Sequence, residues 1–272
     1  MKLKIFIFGY EMPSLLAYQA EAFKKFLKCP YEVFLIDDSM TDRAKSAYVF
    51  VCKEYGIHWI PTNKKVSVKG RWGWGTDPSG DHQVAMQGAF DNMIYGSSID
   101  EYGNCMDDVV LLLDHDCCLI KEWNPLDFMK DKEIAAIMAV HDGGLDYLWP
   151  GLALLNMSKI GQCIPRICMN GGEVYGSMTD SGGQSAVFIE ANDISVHKFN
   201  TEILCHTVKV MERGNTIEAN LELFDDGRWV HIRGAGHEMS NAWPDAGMSK
   251  ALPGNSAKYI AFDMVVRDAL GL

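Results

Sequence analysis

DDVVLLLDHDCCLI, residues Asp107 to Ile120, sets five apolar residues between acidic borders. An uninterrupted apolar run of this length reads as a strand buried on both faces, the kind found in parallel sheets. Val109 to Leu113 forms that strand, and it stops abruptly at Asp114-His115-Asp116. Two carboxylates therefore stand at a strand's carboxyl end, which is where ligands collect in an open α/β sheet. Residues i and i+2 of an extended segment point the same way. On that geometry Asp114 and Asp116 can share one divalent cation, or one can hold the metal and the other a sugar hydroxyl. The plain alternative is a polar turn whose carboxylates face water.

Upstream, the chain alternates strand and helix. Lys4 to Phe8 predicts a first central strand, ending in the loop Gly9-Tyr10-Glu11-Met12-Pro13. Leu15, Leu16, Ala20, Phe23 and Leu27 recur at helical spacing, with Ser14 as N-cap. Tyr31 to Ile36 predicts a second strand, closed by Asp37-Asp38-Ser39. A second helix over Arg43 to Tyr55 and a third strand over Gly56 to Ile60 follow. This β-α-β-α-β order predicts parallel strands with helices on both faces, the nucleotide-binding half of a Rossmann-like α/β fold. Arg71-Trp72-Gly73-Trp74-Gly75 then offers a basic side chain for a diphosphate and indoles for a sugar or base. A loop pinned to the core by its tryptophans explains it equally well. Asp81 to Tyr95 carries a helical apolar stripe.

Composition bounds the function. The 272 residues suffice for one full core, and 48% hydrophobic with 22% charged residues marks an ordinary globular chain. A net charge of −11 argues against a general binder of nucleic acid or anionic membrane. Eight cysteines show no CxxC pair and no zinc spacing, and the adjacent Cys117-Cys118 suits reduced thiols in a cytosolic setting. No stretch approaches about 20 continuous apolar residues, and the amino terminus is too short for a signal peptide, so a cytoplasmic protein without an integral membrane segment is expected.

Downstream, Glu133 to Val140 predicts another strand. Tyr147-Leu148-Trp149-Pro150-Gly151-Leu152 reads as turn chemistry before the apolar Ala153-Leu154-Leu155. Thr179-Asp180-Ser181-Gly182-Gly183-Gln184 opens a regular element over Ser185 to Ile189, leaving Asp180 as either an N-cap or a functional carboxylate. Asp225-Asp226-Gly227-Arg228 predicts a hairpin turn within a region of short strands. Beyond it, alternation puts Trp229, His231 and Arg233 on one strand face, with His237 shortly after. The chain ends in a helix over Ala257 to Leu270.

Several of these segments carry a resemblance. DHD at Asp114 to Asp116 resembles the DxD motif of GT-A glycosyltransferases, which hold a nucleotide-sugar diphosphate through Mn²⁺ or Mg²⁺. VFLIDDSMTD at Val33 to Asp42 resembles the segment after the second strand in family 2-like members, where an Asp meets the uracil edge of a UDP-sugar. The Tyr147 to Leu152 segment resembles the aromatic and glycine stretch after their metal-binding strand. HIRGAGH at His231 to His237 resembles a "His-x-Arg-Gly-Gly" stretch of bacterial and viral members. The resemblance implies one GT-A domain over residues 1–272, with a nucleotide-sugar half over 1–120 and an acceptor half over 121–272. It implies a donor site of Tyr10, Asp37, Asp38, Arg71, Asp114, Trp149, Gly151 and Arg233, and a metal held by Asp114, Asp116 and His231 or His237. It further implies transfer from a UDP-sugar to a hydroxyl acceptor, inverting with Asp180 as base, or retaining if Asp180 faces elsewhere. A nucleotidyltransferase of the same fold is a less favoured alternative, since Gly9 to Pro13 lacks the further glycines and the Lys or Arg of its early basic loop. A non-catalytic sugar-nucleotide-binding domain is the alternative outside enzymes.

Overall fold

The computed structural model describes residues 1–39, 41–62, 78–95, 105–140, 144–210, 215–232 and 253–272. In chain order the elements begin with β1 (Leu3–Gly9), α1 (Pro13–Phe26), β2 (Tyr31–Asp37), α2 (Asp42–Tyr55), β3 (His58–Pro61) and α3 (Pro78–Ala89), which runs into a π-helical turn. Next come β4 (Val109–Asp114), β5 (Cys117–Leu119), α4 (Pro125–Phe128), β6 (Ile134–Val140), β7 (Asp146–Asn156) and α5 (Met157–Ile160). The chain continues with β8 (Gly172–Val174), β9 (Ser177–Thr179), α6 (Ser185–Ala191) and β10 (Val196–Lys198). It closes with β11 (Thr201–Val210), β12 (Asn215–Phe224), β13 (Trp229–His231) and α7 (Pro253–Leu270). These elements divide between two compact units: residues 1–10, 29–114 and 124–199 form the first, and residues 11–28, 115–123 and 200–272 the second.

The first unit has the expected α/β architecture. Its seven-stranded sheet runs β10-β6-β7-β4-β1-β2-β3, with β7 antiparallel to both neighbours and every other pairing parallel. Val109 to Leu113 are all 0% exposed, as their unbroken apolar run requires of a central strand. From β1 the chain proceeds outward through β2 and β3, then returns to place β4 on the other side of β1. The reversal makes the carboxyl ends of β1 and β4 the topological switch point, where a crevice opens in such sheets. Thr41 caps α2, its Oγ1 accepting from the Ala44 N–H at 3.2 Å, and Gly56 ends the helix at a φ of 69°.

The second unit holds an antiparallel sheet in the order β11-β12-β13-β5, with α1 and α7 packed against it. Trp123 meets Trp229 edge to face at 5.8 Å. Tyr18 hydrogen-bonds Asp263, and Lys25 Nζ donates to the last carbonyls of α7, those of Ala269 and Leu270. That lysine satisfies acceptors the helix end leaves open. The amino end of α1 differs from expectation. Pro13 occupies the first helical turn and Met12 precedes it without a side-chain cap, so Ser14 lies inside the helix. Proline suits that position because its missing N–H has no intrahelical partner there.

Residues 146–156 also depart from the sequence reading, forming one long strand instead of a turn and an apolar run. Ala136 pairs with Ala153 and Met138 with Leu148, so Trp149 to Leu152 stand opposite Ile137 alone. The bulge accommodates Pro150, which has no N–H for a regular ladder. Among the described residues no helix is long and apolar enough to cross a membrane. All eight cysteines are free thiols.

Candidate functional site

In the first unit, register gathers the acidic strand ends. Gly9 of β1 pairs with Asp37 of β2, and Phe8 of β1 pairs with Asp114 of β4. The carboxyl edge of three adjacent parallel strands therefore carries Asp37, Asp38 and Asp114, with Tyr10 just past β1.

Asp37 and Asp38 do different things. Asp37 is 0% exposed, and its two carboxylate oxygens accept from the Ser39 N–H and from Trp59 Nε1, each at 2.9 Å. Its carbonyl also accepts from the Thr62 N–H. The Asp37 side chain thus ties the end of β2 to β3. Asp38 is half-buried, and its Oδ1 accepts from Thr62 Oγ1 at 2.8 Å. Asp38 thus differs from Asp37 in keeping an exposed share, with the Thr62 hydroxyl bonded to one of its oxygens.

Asp180 lies between β9 and α6 and is exposed. The residue preceding α6 is Gln184, so Asp180 is not the N-cap of that helix. Its Oδ1 accepts from the Ser181 N–H at 2.8 Å and from Gln83 Nε2 at 3.5 Å, while Gln83 Oε1 accepts from the Gly171 N–H at 3.1 Å. One glutamine on α3 thereby holds both the Asp180 carboxylate and the backbone beside it. Gly171 must be small, since a Cβ there would lie 2.7 Å from the Asp180 carbonyl. Burial pushes the Tyr147 phenol upward, against a backbone hydrogen bond at Asp180 that lowers it, while the Asp180 charge acts in the raising direction.

Trp149 and Gly151 are neighbours for a structural reason. A Cβ on Gly151 would come within 2.1 Å of the Trp149 indole, so the ring itself covers the glycine backbone.

The second unit contains the most developed polar constellation. Strand β13 pairs with β5 so that His231 faces Cys117, and the Ile232 N–H donates to the Asp116 carbonyl at 3.2 Å. This pairing brings Asp116, in the turn before β5, beside His231. His231 Nε2 lies 3.4 Å from Asp116 Oδ1, and its Nδ1 lies 2.8 Å from Glu222 Oε2. Phe224 stacks on the imidazole at 5.5 Å. Asp116 and His231 are each 6% exposed. Burial alone would lower the pKa of His231. The Asp116 and Glu222 carboxylates outweigh it and hold the ring at about 9. Burial likewise works against the Asp116 carboxylate, and His231 nonetheless draws its pKa below the usual range.

A divalent ion fits this donor set. Two atoms bound cis to one octahedral ion at about 2.1 Å would lie about 3 Å apart, close to the observed Asp116–His231 separation. Among the described residues no group of three or more His, Cys, Asp and Glu forms a ready metal cluster. Asp114 ends β4 and Asp116 sits in a turn, so the two carboxylates do not share one extended strand. The expectation that i and i+2 align them by strand geometry is therefore corrected. Arg71, Arg233 and His237 lie outside the described residues.

Glu222 was missing from the sequence reading. Its signal was the hairpin: a turn over Asp225 to Arg228 pairs Phe224 with Trp229 and, two residues out on each arm, Glu222 with His231.

No family model matches the chain, and no curated protein matches it. Among solved structures, an active-site mutant of LgtC, a galactosyltransferase, is similar over 57% of this chain at 16% identity and a TM-score of 0.36. The chain covers 58% of that protein, less than two thirds of its length. Core-mannan synthase A from Aspergillus fumigatus, in a manganese and GDP form, is similar over 73% of this chain and 72% of its own, at 9% identity and a TM-score of 0.43. Glucosyl-3-phosphoglycerate synthase from Mycobacterium tuberculosis, in complex with Mn²⁺, UDP and glucosyl-3-phosphoglycerate, is similar over 72% of this chain and 69% of its own. The identity there is 10% and the TM-score 0.37.

Proposed function

We propose that this protein is a metal-dependent GT-A glycosyltransferase that moves a sugar from a nucleotide sugar, a UDP-sugar, to an acceptor hydroxyl. The observation that carries the proposal is the pairing of Asp116 with His231 directly after a strand whose last residue, Asp114, stands at the switch point of a parallel sheet. Carboxylate and imidazole suit Mn²⁺, and Mg²⁺ or Mn²⁺ held by one or two protein groups takes its other ligands from phosphates and water. Asp116 and His231 of the second unit are the proposed protein ligands, and Asp114, at the end of β4, is proposed as a donor-site carboxylate of the first unit. A bound ion supplies positive charge opposite the departing diphosphate.

In this reading Asp38 accepts the uracil N–H, because a ring donor needs an acceptor at that edge. Asp37 fixes the loop that presents it. Asp180, exposed and directed by Gln83, takes the proton of the acceptor hydroxyl as that oxygen attacks the anomeric carbon, giving inversion.

The test is calorimetric titration of UDP, GDP and CMP with and without Mn²⁺. It compares wild type with Asp114→Asn and Asp116→Asn, which keep side-chain volume. UDP binding that needs the metal and is lost in both variants supports the proposal. Absence of any nucleotide binding, or binding indifferent to Mn²⁺ and to both variants, overturns it.

A further inference from the structure

Resting on the reading of Asp116 and His231 as metal ligands, we infer that Glu222 is a positioning residue, holding the imidazole by Nδ1 so that Nε2 is presented beside Asp116. The argument is one of competing hydrogen bonds. A neutral imidazole carries one N–H, and two carboxylates flank this ring. Glu222 Oε2 stands 2.8 Å from Nδ1, whereas Asp116 Oδ1 stands 3.4 Å from Nε2. The shorter contact is the stronger bond. The N–H therefore belongs on Nδ1, and the lone pair on Nε2 points toward Asp116, where a cation is to be bound.

The fold makes this orientation difficult to escape. Glu222 and His231 are paired residues of adjacent antiparallel strands, with Phe224 stacked on the ring. Cross-strand partners hold their Cβ atoms about 5 Å apart, within reach for a carboxylate and an imidazole. Remove the Glu222 carboxylate and Asp116 becomes the only acceptor of the two. The N–H then moves to Nε2, the nitrogen needed for the ion. Carboxylates behind metal-bound histidines fix tautomer and ring orientation in this way, and their loss costs roughly 10- to 100-fold in metal affinity.

Two readouts on the full chain test the inference. The first is Mn²⁺ affinity by electron paramagnetic resonance of free Mn²⁺ for wild type, Glu222→Ala and Glu222→Gln. The second uses metal-free protein at a pH where titration of the ring signals shows His231 neutral, and reads its tautomer from long-range ¹H–¹⁵N correlations. Glu222→Ala is expected to bind Mn²⁺ about 10- to 100-fold more weakly and to show the Nε2–H tautomer. Glu222→Gln, whose Oε1 still accepts from Nδ1–H, is expected to keep the wild-type tautomer and most of the affinity. Folded Glu222→Ala that retains the Nδ1–H tautomer and binds within about twofold of wild type overturns the inference, as does failure of the glutamine to rescue the tautomer. Wild type that binds no Mn²⁺ sinks the metal reading instead, and the tautomer still decides whether Glu222 orients the ring.

Discussion

The buried Asp116–His231 pair, with half-buried Glu222 on the other ring nitrogen, makes the stability of the metal-free protein depend on pH in a defined window. His231 titrates near 6.5 in an unfolded chain and at about 9 in the folded one. A raised folded pKa means that the ion pair's contribution is complete below about pH 6.5 and is lost as pH rises through about 9. At about 1.4 kcal/mol per unit, a shift of about 2.5 units amounts to roughly 3 kcal/mol. Asp116 runs the other way: its lowered pKa stabilises above the unfolded value of 3.8 and is lost at more acid pH. A plateau is expected from about pH 4 to 6.5, then a fall of about 1.4 kcal/mol per pH unit. Burial also raises the thiols of Cys52 to about 12 and of Cys105 to about 11, and raises Cys118 as well. These thiols stay protonated in the folded chain while unfolded ones ionise, so they add a further loss above about pH 8.5. The informative window is therefore pH 6.5 to 8.5. Urea unfolding with a chelator present, in wild type and His231→Gln, measures it. Wild type should lose about 2 to 3 kcal/mol across that window and the variant almost none. A flat wild-type curve, or an equal slope in both proteins, would refute the reasoning.

Other perturbations separate structural from functional carboxylates. Asp37→Ala leaves the Trp59 Nε1 and Ser39 N–H donors without their acceptor and should cost about 1 to 3 kcal/mol in denaturant midpoint measurements. Asp38→Ala removes the acceptor of Thr62 Oγ1 and should cost about 0.5 to 1.5 kcal/mol by the same measurement, while weakening UDP binding in calorimetry. Asp180→Asn should lower kcat for sugar transfer by about 10²- to 10⁴-fold with UDP affinity unchanged, so equal kcat would remove it from the base role. Gly182→Ala forces a Cβ to within 2.0 Å of the Leu148 carbonyl at a φ of 92°, and should destabilise by about 2 kcal/mol or more on thermal unfolding.

The parallel half of the fold was legible because burial on both faces writes an unbroken apolar run into β1, β2 and β4. Strand ends were legible for the same reason, since Asp37 and Asp114 mark where the run stops. What the run cannot report is pairing between distant segments. The difference between Asp37 and Asp38 depends on Trp59 and Thr62 on or just after β3, more than 20 residues on, and nothing local distinguishes the two carboxylates. Pro150 and Gly151 make residues 147–152 read locally as a turn, whereas a bulge opposite Ile137 lets a strand carry both. Strands β11 and β12 were read as short pieces: exposed residues such as Glu202 and Ile203 break the apolar alternation.

Asp116 illustrates the same limit at closer range. It stands two residues from Asp114, yet its position is set by β5 pairing with β13, a strand more than 100 residues later. The Asp225–Arg228 turn fixes which β12 residue faces His231, and a one-residue slip there would replace Glu222 with a neighbour that points to the other face. Hairpin register thus controls both contacts of His231, to Asp116 and to Glu222, while Asp114 is placed by β4 lying between β1 and β7. A turn variant that shifts the hairpin should therefore abolish the raised His231 pKa and leave the seven-stranded sheet intact. That combination, readable in one ¹H–¹⁵N spectrum as a function of pH, would distinguish a site built by the hairpin from one built by the strand.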